Sequence, residues 1–220
     1  MLILEDYLDK LINECKVVYG ERLVYLGLQG SYLRGEATDK SDIDIMAVID
    51  DFCAADMDIY REILKKVGDY ERSCGFICGR DELARWNPLE VIQLRYTTKD
   101  LYGTLAELLP EAQREDEVNY VKVSLGNLYH ELCHRYIHTE KENSAVKLSF
   151  TLKGFFFLIQ NLHYIESGEF LLNKKELKEK VSPEDRYILE LSENYVTQDF
   201  EIVFPKVMEW CRQAFIRADI

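Results

Sequence analysis

Apolar residues recur at Leu4, Leu8, Leu11, Ile12 and Cys15, the 3.6-residue period of an amphipathic helix, and Gly20 stops it. The period then shortens to two. The stretch "RLVYLGLQG" (22–30) is rich in β-formers and ends at a glycine turn, and "SDIDIMAVID" (41–50) alternates polar and apolar before becoming wholly apolar. This pattern predicts two strands joined by a short helix or turn. A helix is expected over 56–67, stopped by Gly68, then a short buried strand over 73–79 carrying two glycines. Between Asp81 and Leu109 the segments "DELARW", "PLEVIQLRY" and "DLYGTLAELL" predict short helices and one more strand.

From about residue 114 the β signal fades and long helical periods follow, through "VNYVKVSLGNLYHELCHRYIHTEKE", "AVKLSFTLKGFFFLIQNLHYIESG", "PEDRYILELSENY" and "FPKVMEWCRQAFIRA". Pro110 and the charged "EAQREDE" after it carry no core signature and mark a boundary. The expected fold class is α+β, with a mixed α/β domain over 1–112 and a helical bundle over 113–220. No repeat, low-complexity segment or long linker separates the halves, so they are expected to pack closely.

Composition narrows the function classes. Residues 1–110 hold 13 basic against 21 acidic side chains and the remainder 14 against 19, for a net charge of -13. Neither half is a basic module, which argues against long nucleic acid bound through its phosphates. The six cysteines follow no disulfide-scaffold spacing and are expected to be reduced, small buried groups. The N-terminus has acids in its first turns and no basic segment, and no apolar run reaches membrane-spanning length. A cytoplasmic location is the expectation.

One feature does not fit a plain buried strand. Asp42 and Asp44 stand two apart, so on a strand they share a face while Ile43 and Ile45 point into the core. Two like charges that close repel unless a cation lies between them. A hard divalent ion such as Mg²⁺ resolves this, taking one or two protein carboxylates and completing its shell with water and substrate phosphates. Such a site serves phosphoryl or nucleotidyl transfer. Upstream, Gly30 allows close backbone approach and Ser31 opens the next segment with a hydroxyl and N–H groups aimed at an anion.

The whole string, an apolar strand, Gly30-Ser31, a nine-residue spacer containing Arg34-Gly35, then Ser41-Asp42-Ile43-Asp44-Ile45 opening a second apolar strand, resembles the signature of the polymerase-beta-like nucleotidyltransferase superfamily. The resemblance is to its small members, the minimal and the aminoglycoside nucleotidyltransferases. It implies a nucleotidyltransferase fold, a small mixed sheet with flanking helices, over the first domain. It further implies a two-metal Mg²⁺ site on Asp42 and Asp44, with an NTP held by Gly30 and Ser31 and the loop supported by Arg34 and Ser41. The motif covers Gly30 to Val48; the element order is similar to that of the kanamycin-type enzymes over most of the chain.

The family supplies a third carboxylate from the next strand, and "SCGFICGRDEL" has no acid inside it. By position that acid falls near Cys74 to Ile77. Either Glu71 or Asp81 compensates from a strand end, Glu90 serves from a later segment, or the third ligand is missing. Without it transfer slows or stops while nucleotide binding survives. In the kanamycin-type enzymes the helical domain lends a glutamate base and, one turn on, a basic residue; Glu131 and Arg135 have that spacing, which is also that of ordinary surface ion pairs.

All four histidines lie in the second half, and "HELCH" (130–134) matches the zinc-protease pattern. Zinc needs a third protein ligand. His138 lies eight residues from His130, about 12 Å along a helix, too far for bonds of about 2 Å to one ion. Only a residue from elsewhere, such as His163, could complete such a site, and the row reads instead as lining a cleft or as helix surface. Arg135 precedes His138 too closely for the RNase motif found beside some minimal nucleotidyltransferases. Phe155, Phe156 and Phe157 point about 100° apart on a helix, which fits core packing rather than a stacking platform.

The expected function is Mg²⁺-dependent transfer of a nucleoside monophosphate from an NTP to a hydroxyl of a small molecule, an aminoglycoside-like acceptor among the candidates. AMP transfer to a protein acceptor and a catalytically weak nucleotide-binding module are the alternatives.

Overall fold

The computed structural model describes residues 3–195 and 199–219, apart from the side chains of Lys141 and Glu142. Met1 and Leu2, which open the N-terminal segment, lie outside the described residues. The chain divides into two compact units, Met1–Glu111 and Ala112–Ile220.

In the first unit the order is α1 (Leu4–Tyr19), β1 (Leu23–Leu28), α2 (Gly30–Arg34), β2 (Ile43–Ile49), α3 (Ala54–Val67), β3 (Ser73–Gly79), α4 (Arg80–Ala84), α5 (Pro88–Thr97) and β4 (Lys99–Tyr102). The strands form one mixed sheet in the order β3-β2-β1-β4. β1 runs antiparallel to both β2 and β4, while β2 and β3 are parallel; a parallel pair needs a crossover, and α3 supplies it.

β2 is apolar along most of its length because both of its faces are covered. Ile43, Ile45, Ala47 and Ile49 face a core with Leu11 and Cys15 of α1 and Ile63 of α3. Met46 and Val48 face the other core with Tyr25, Leu83 and Val91. Period two therefore places Asp44 on the Met46 face, at the start of the strand.

α3 is anchored at its first turn by a buried acid. Asp56, 1% exposed, accepts from Arg22 Nη1 and Nη2 at 3.1 and 2.7 Å and from the Cys53 backbone N–H at 2.9 Å. The Arg22 guanidinium, before burial and the Cys53 N–H, dominates and holds the Asp56 carboxyl below the usual carboxylate range.

The second unit holds α6 (Arg114–His138), α7 (Lys141–Leu152), α8 (Phe155–Ser167), α9 (Lys174–Lys180), α10 (Pro183–Asn194) and α11 (Phe200–Arg217). Val121, Leu125, Leu152, Phe155, Ile159, Leu162, Ile188, Val207 and Trp210 belong to its core. Phe155 and Phe156 are buried while Phe157 is exposed, the divergence a helix imposes on three consecutive rings. Asp185 is buried too, and accepts from Trp210 Nε1 at 2.7 Å and from both terminal nitrogens of Arg217 at 2.8 and 2.9 Å.

Two expectations need correction. The strand at 73–79 is not buried throughout: β3 is an edge strand, and Cys74 and Gly75 near its start are exposed. The cysteines are free, as expected, but only Cys15, Cys78 and Cys211 are buried; Cys53 and Cys74 are exposed and Cys133 is half-buried.

Candidate functional site

The site forms where α2 meets the start of β2. Asp44 is half-buried and Asp42, one residue before the strand begins, is exposed. The Gln29 backbone N–H donates to the Asp44 carbonyl at 2.9 Å, which pins the turn entering α2 beside the aspartate. Gly30 follows with φ +67°, and a Cβ at that position would lie 1.8 Å from Asp44 Oδ2. Only a glycine combines that backbone conformation with so close an approach to the carboxylate. Gly30, Ser31 and Asp44 are thus brought together by backbone geometry.

The other sequence candidates shape the loop between α2 and β2. Arg34 pairs with Glu36 at 2.8 Å. Ser41 Oγ accepts from the Thr38 N–H at 2.9 Å. A residue that sequence reasoning missed closes this loop: Arg72, just before β3, donates to the Ser41 carbonyl from Nε and Nη2 at 3.1 and 3.0 Å and to the Tyr32 hydroxyl. Arg72 ties α2, the residue before Asp42 and the entrance to β3 into one unit. The only signal for it is its place at the start of a predicted strand.

The question of the third acid has a definite answer in the register. Asp44 lies opposite Cys74 in the parallel ladder, so the β3 residue beside it, at the start of the Cys74–Ile77 span where the resemblance leads one to expect a carboxylate, carries a thiol. Burial first, and then the neighbouring carboxylates of Asp44 and Asp42, push the Cys74 thiol pKa up. The thiol is therefore protonated at neutral pH, a neutral group where a third negative charge was expected. Among the described residues none of the three substitutes joins Asp42 and Asp44 in a metal-binding group. Glu71 is exposed in the turn before β3. Asp81 pairs with Arg85 at 2.9 Å in α4, which follows the far end of β3. Glu90 accepts from Trp86 Nε1 at 2.6 Å on α5.

Among the described residues no group of three or more His, Cys, Asp or Glu side chains is arranged to hold a metal ion. The donor set at Asp42 and Asp44 still fits one Mg²⁺, which needs only one or two carboxylates when phosphate oxygens and water complete its octahedron. A second ion would lack the extra carboxylate.

Glu131 belongs to the helical unit. Its Oε1 accepts from Arg135 Nη2 at 2.7 Å and from Thr151 Oγ1 at 2.7 Å, the i, i+4 ion pair that the spacing also allowed.

A protein-family model described as a nucleotidyltransferase domain matches residues 8–147, from α1 through most of α7. The chain belongs to the nucleotidyltransferase domain family. Its match to the "putative protein adenylyltransferase" of Methanocaldococcus jannaschii is 37% identical over 46 residues, 21% of this nucleotidyltransferase and 31% of that protein, so it spans under a third of the relative's length. Among solved structures, the spectinomycin adenyltransferase of Enterococcus faecialis, crystallised with ATP and spectinomycin, superposes with a TM-score of 0.57. That likeness covers 98% of this nucleotidyltransferase and 99% of the other chain at 16% identity, and it shows the fold. A toxin-antitoxin structure with AMP-PNP aligns at a TM-score of 0.33 and 23% identity over 59% of this chain and 94% of the other, too loosely to carry an argument. Among the described residues no helix is long and apolar enough to cross a membrane.

Proposed function

We propose that this nucleotidyltransferase moves AMP from ATP to a hydroxyl of a small molecule that carries positive charge, an aminoglycoside-like compound being the model acceptor. The observation that carries the proposal is the contact of Gly30 with the Asp44 carboxylate, which places a glycine turn suited to phosphate against an acid suited to a cation. The acceptor hydroxyl oxygen forms a bond to the α-phosphorus and releases its proton to water, the bond from that phosphorus to the leaving oxygen breaks, and pyrophosphate departs. Asp42 and Asp44 would hold Mg²⁺, which when bound neutralises triphosphate charge and orients it. Gly30 and Ser31 give the phosphates their close approach, and Ser41, gripped by Arg72, holds the loop leading to Asp42 in place. The net charge of -13 and the likeness to an enzyme solved with ATP and spectinomycin support this acceptor class. Glu131, the base implied by the resemblance, is tested by Glu131→Gln.

The match to the Methanocaldococcus jannaschii protein favours a second reading, AMP transfer to a protein side chain. One assay separates the two. Purified protein is incubated with Mg²⁺, labelled ATP and a panel of amino-sugar, neutral-polyol and protein acceptors, and pyrophosphate and the labelled product are followed. The expected product is an adenylylated amino sugar; label on protein instead supports the second reading. Retained ATP binding that Asp42→Asn weakens, with no pyrophosphate from the wild type, would defeat both and leave a nucleotide-binding module.

A further inference from the structure

The histidine row of α6 is not explained by nucleotide chemistry. His130, His134 and His138 are all exposed and fall at successive i, i+4 positions, where side chains lie one above another on the same face. Their rings form a column. His130 and His134 stack with centroids 6.0 Å apart and planes at 26°; His134 and His138 are closer, 4.7 Å, and tilted by 44°.

The column is held on a rigid support. Val121, Leu125 and Leu132 of the same helix are buried in the core of the helical unit, which fixes the rotation of α6 and keeps the histidine face toward solvent. Arg135 and Glu131, the ionised neighbours on that stretch, are occupied with each other and with Thr151. No hydrogen bond or ion pair with another described residue engages a ring nitrogen of the three histidines. His163 lies on α8 and bonds Ser167 at 3.3 Å.

Two imidazoles that bind one ion side by side, each nitrogen about 2.0–2.1 Å from the metal, hold their ring centres roughly 4.5–5.2 Å apart at N–metal–N angles between about 90° and the tetrahedral angle. The His134–His138 spacing falls in that window and the His130–His134 spacing does not. Imidazole nitrogen favours Zn²⁺, Ni²⁺ and Cu²⁺ over the hard, oxygen-seeking Mg²⁺. We propose that His134 and His138 form a two-imidazole clamp for a divalent transition-metal ion, separate from the Asp42–Asp44 site, with water or a donor from another molecule in the remaining coordination positions. With two protein ligands and Glu131 engaged in an ion pair, the site binds and does not hydrolyse. The proposal is independent of the nucleotidyl-transfer reading.

The test is calorimetric titration of the tag-free full chain carrying Asp42→Asn and Asp44→Asn, which removes the other divalent-ion site. At pH 7.5 one Ni²⁺ or Zn²⁺ is expected to bind per chain, with Mg²⁺ giving no binding heat. Adding His134→Asn or His138→Asn should weaken Ni²⁺ binding by about tenfold or more, His130→Asn by less than about threefold, and Cys133→Ser not at all. The substituted histidines are solvent-facing, and unchanged circular dichroism verifies the fold. Absence of Ni²⁺ binding up to millimolar concentration, equal binding after the His134→Asn/His138→Asn double change, or a loss in His130→Asn as large as in His138→Asn would each overturn the clamp.

Discussion

At the scale of single residues, the site turns on what stands beside Asp44. Gly30 can approach it because it has no Cβ, and Cys74 stands opposite it in the ladder as a neutral thiol. A carboxylate at position 74 would repel Asp42 and Asp44 without a cation and strengthen the hold on one when it is present. Cys74→Asp is therefore expected to lower the melting temperature in the absence of Mg²⁺, to recover that loss when Mg²⁺ is added, and to raise the rate of pyrophosphate release by about tenfold. Cys74→Ser, which keeps a neutral group, should leave melting and rate near the wild type. Thermal melts with and without Mg²⁺, read beside the pyrophosphate assay, check this; a faster rate with Cys74→Ser than with Cys74→Asp would show that charge at this position is not what limits transfer.

At the scale of elements, α3 delivers β3 to its parallel register with β2, and Asp56 fixes where α3 begins. Replacing Asp56 with Ala removes two guanidinium bonds and one backbone bond, and is expected to cost about 1–3 kcal/mol at pH 7. Because the native carboxyl is held below its ordinary range by Arg22, its stabilisation is complete above about pH 4 and is lost as pH falls through the native value. The gap in melting temperature between wild type and Asp56→Ala should accordingly shrink between pH 6 and pH 3. The same elements show what a sequence can reveal. The alternation along 41–50 and the glycine turn before it are local patterns, so β2, α2 and the aspartate pair were legible. The partner of Asp44 was not, because it depends on register, which is set by the length of α3, by its anchoring through Asp56 and by the grip of Arg72 on Ser41. Those contacts join residues 31 or more positions apart, beyond any spacing rule. Burial at the start of β3 was misjudged for a related reason: the apolar run does not say that this strand lies at the edge of the sheet.

At the scale of the whole molecule, the proposed acceptor class is a matter of charge. The excess of acid is spread over both halves of the chain, with 40 Asp and Glu against 27 Lys and Arg, so the surface field attracts cations and repels polyanions. On the proposed function, ATP would reach the Asp42–Asp44 site against that field, with Mg²⁺ offsetting part of its charge, whereas a polycationic amino sugar would be drawn in. Such steering is long-range and is screened once the Debye length falls below the distance over which the field acts, from roughly 20 Å at 0.02 M salt to about 7 Å at 0.2 M. For a polycationic acceptor kcat/KM is expected to fall by about tenfold over that range, through KM more than kcat, while a neutral polyol acceptor changes by less than about twofold. Initial rates of pyrophosphate release, measured at saturating Mg-ATP with each acceptor across the salt series, decide it. Equal salt dependence for the charged and the neutral acceptor would mean that the net charge serves some other purpose than recruiting the substrate.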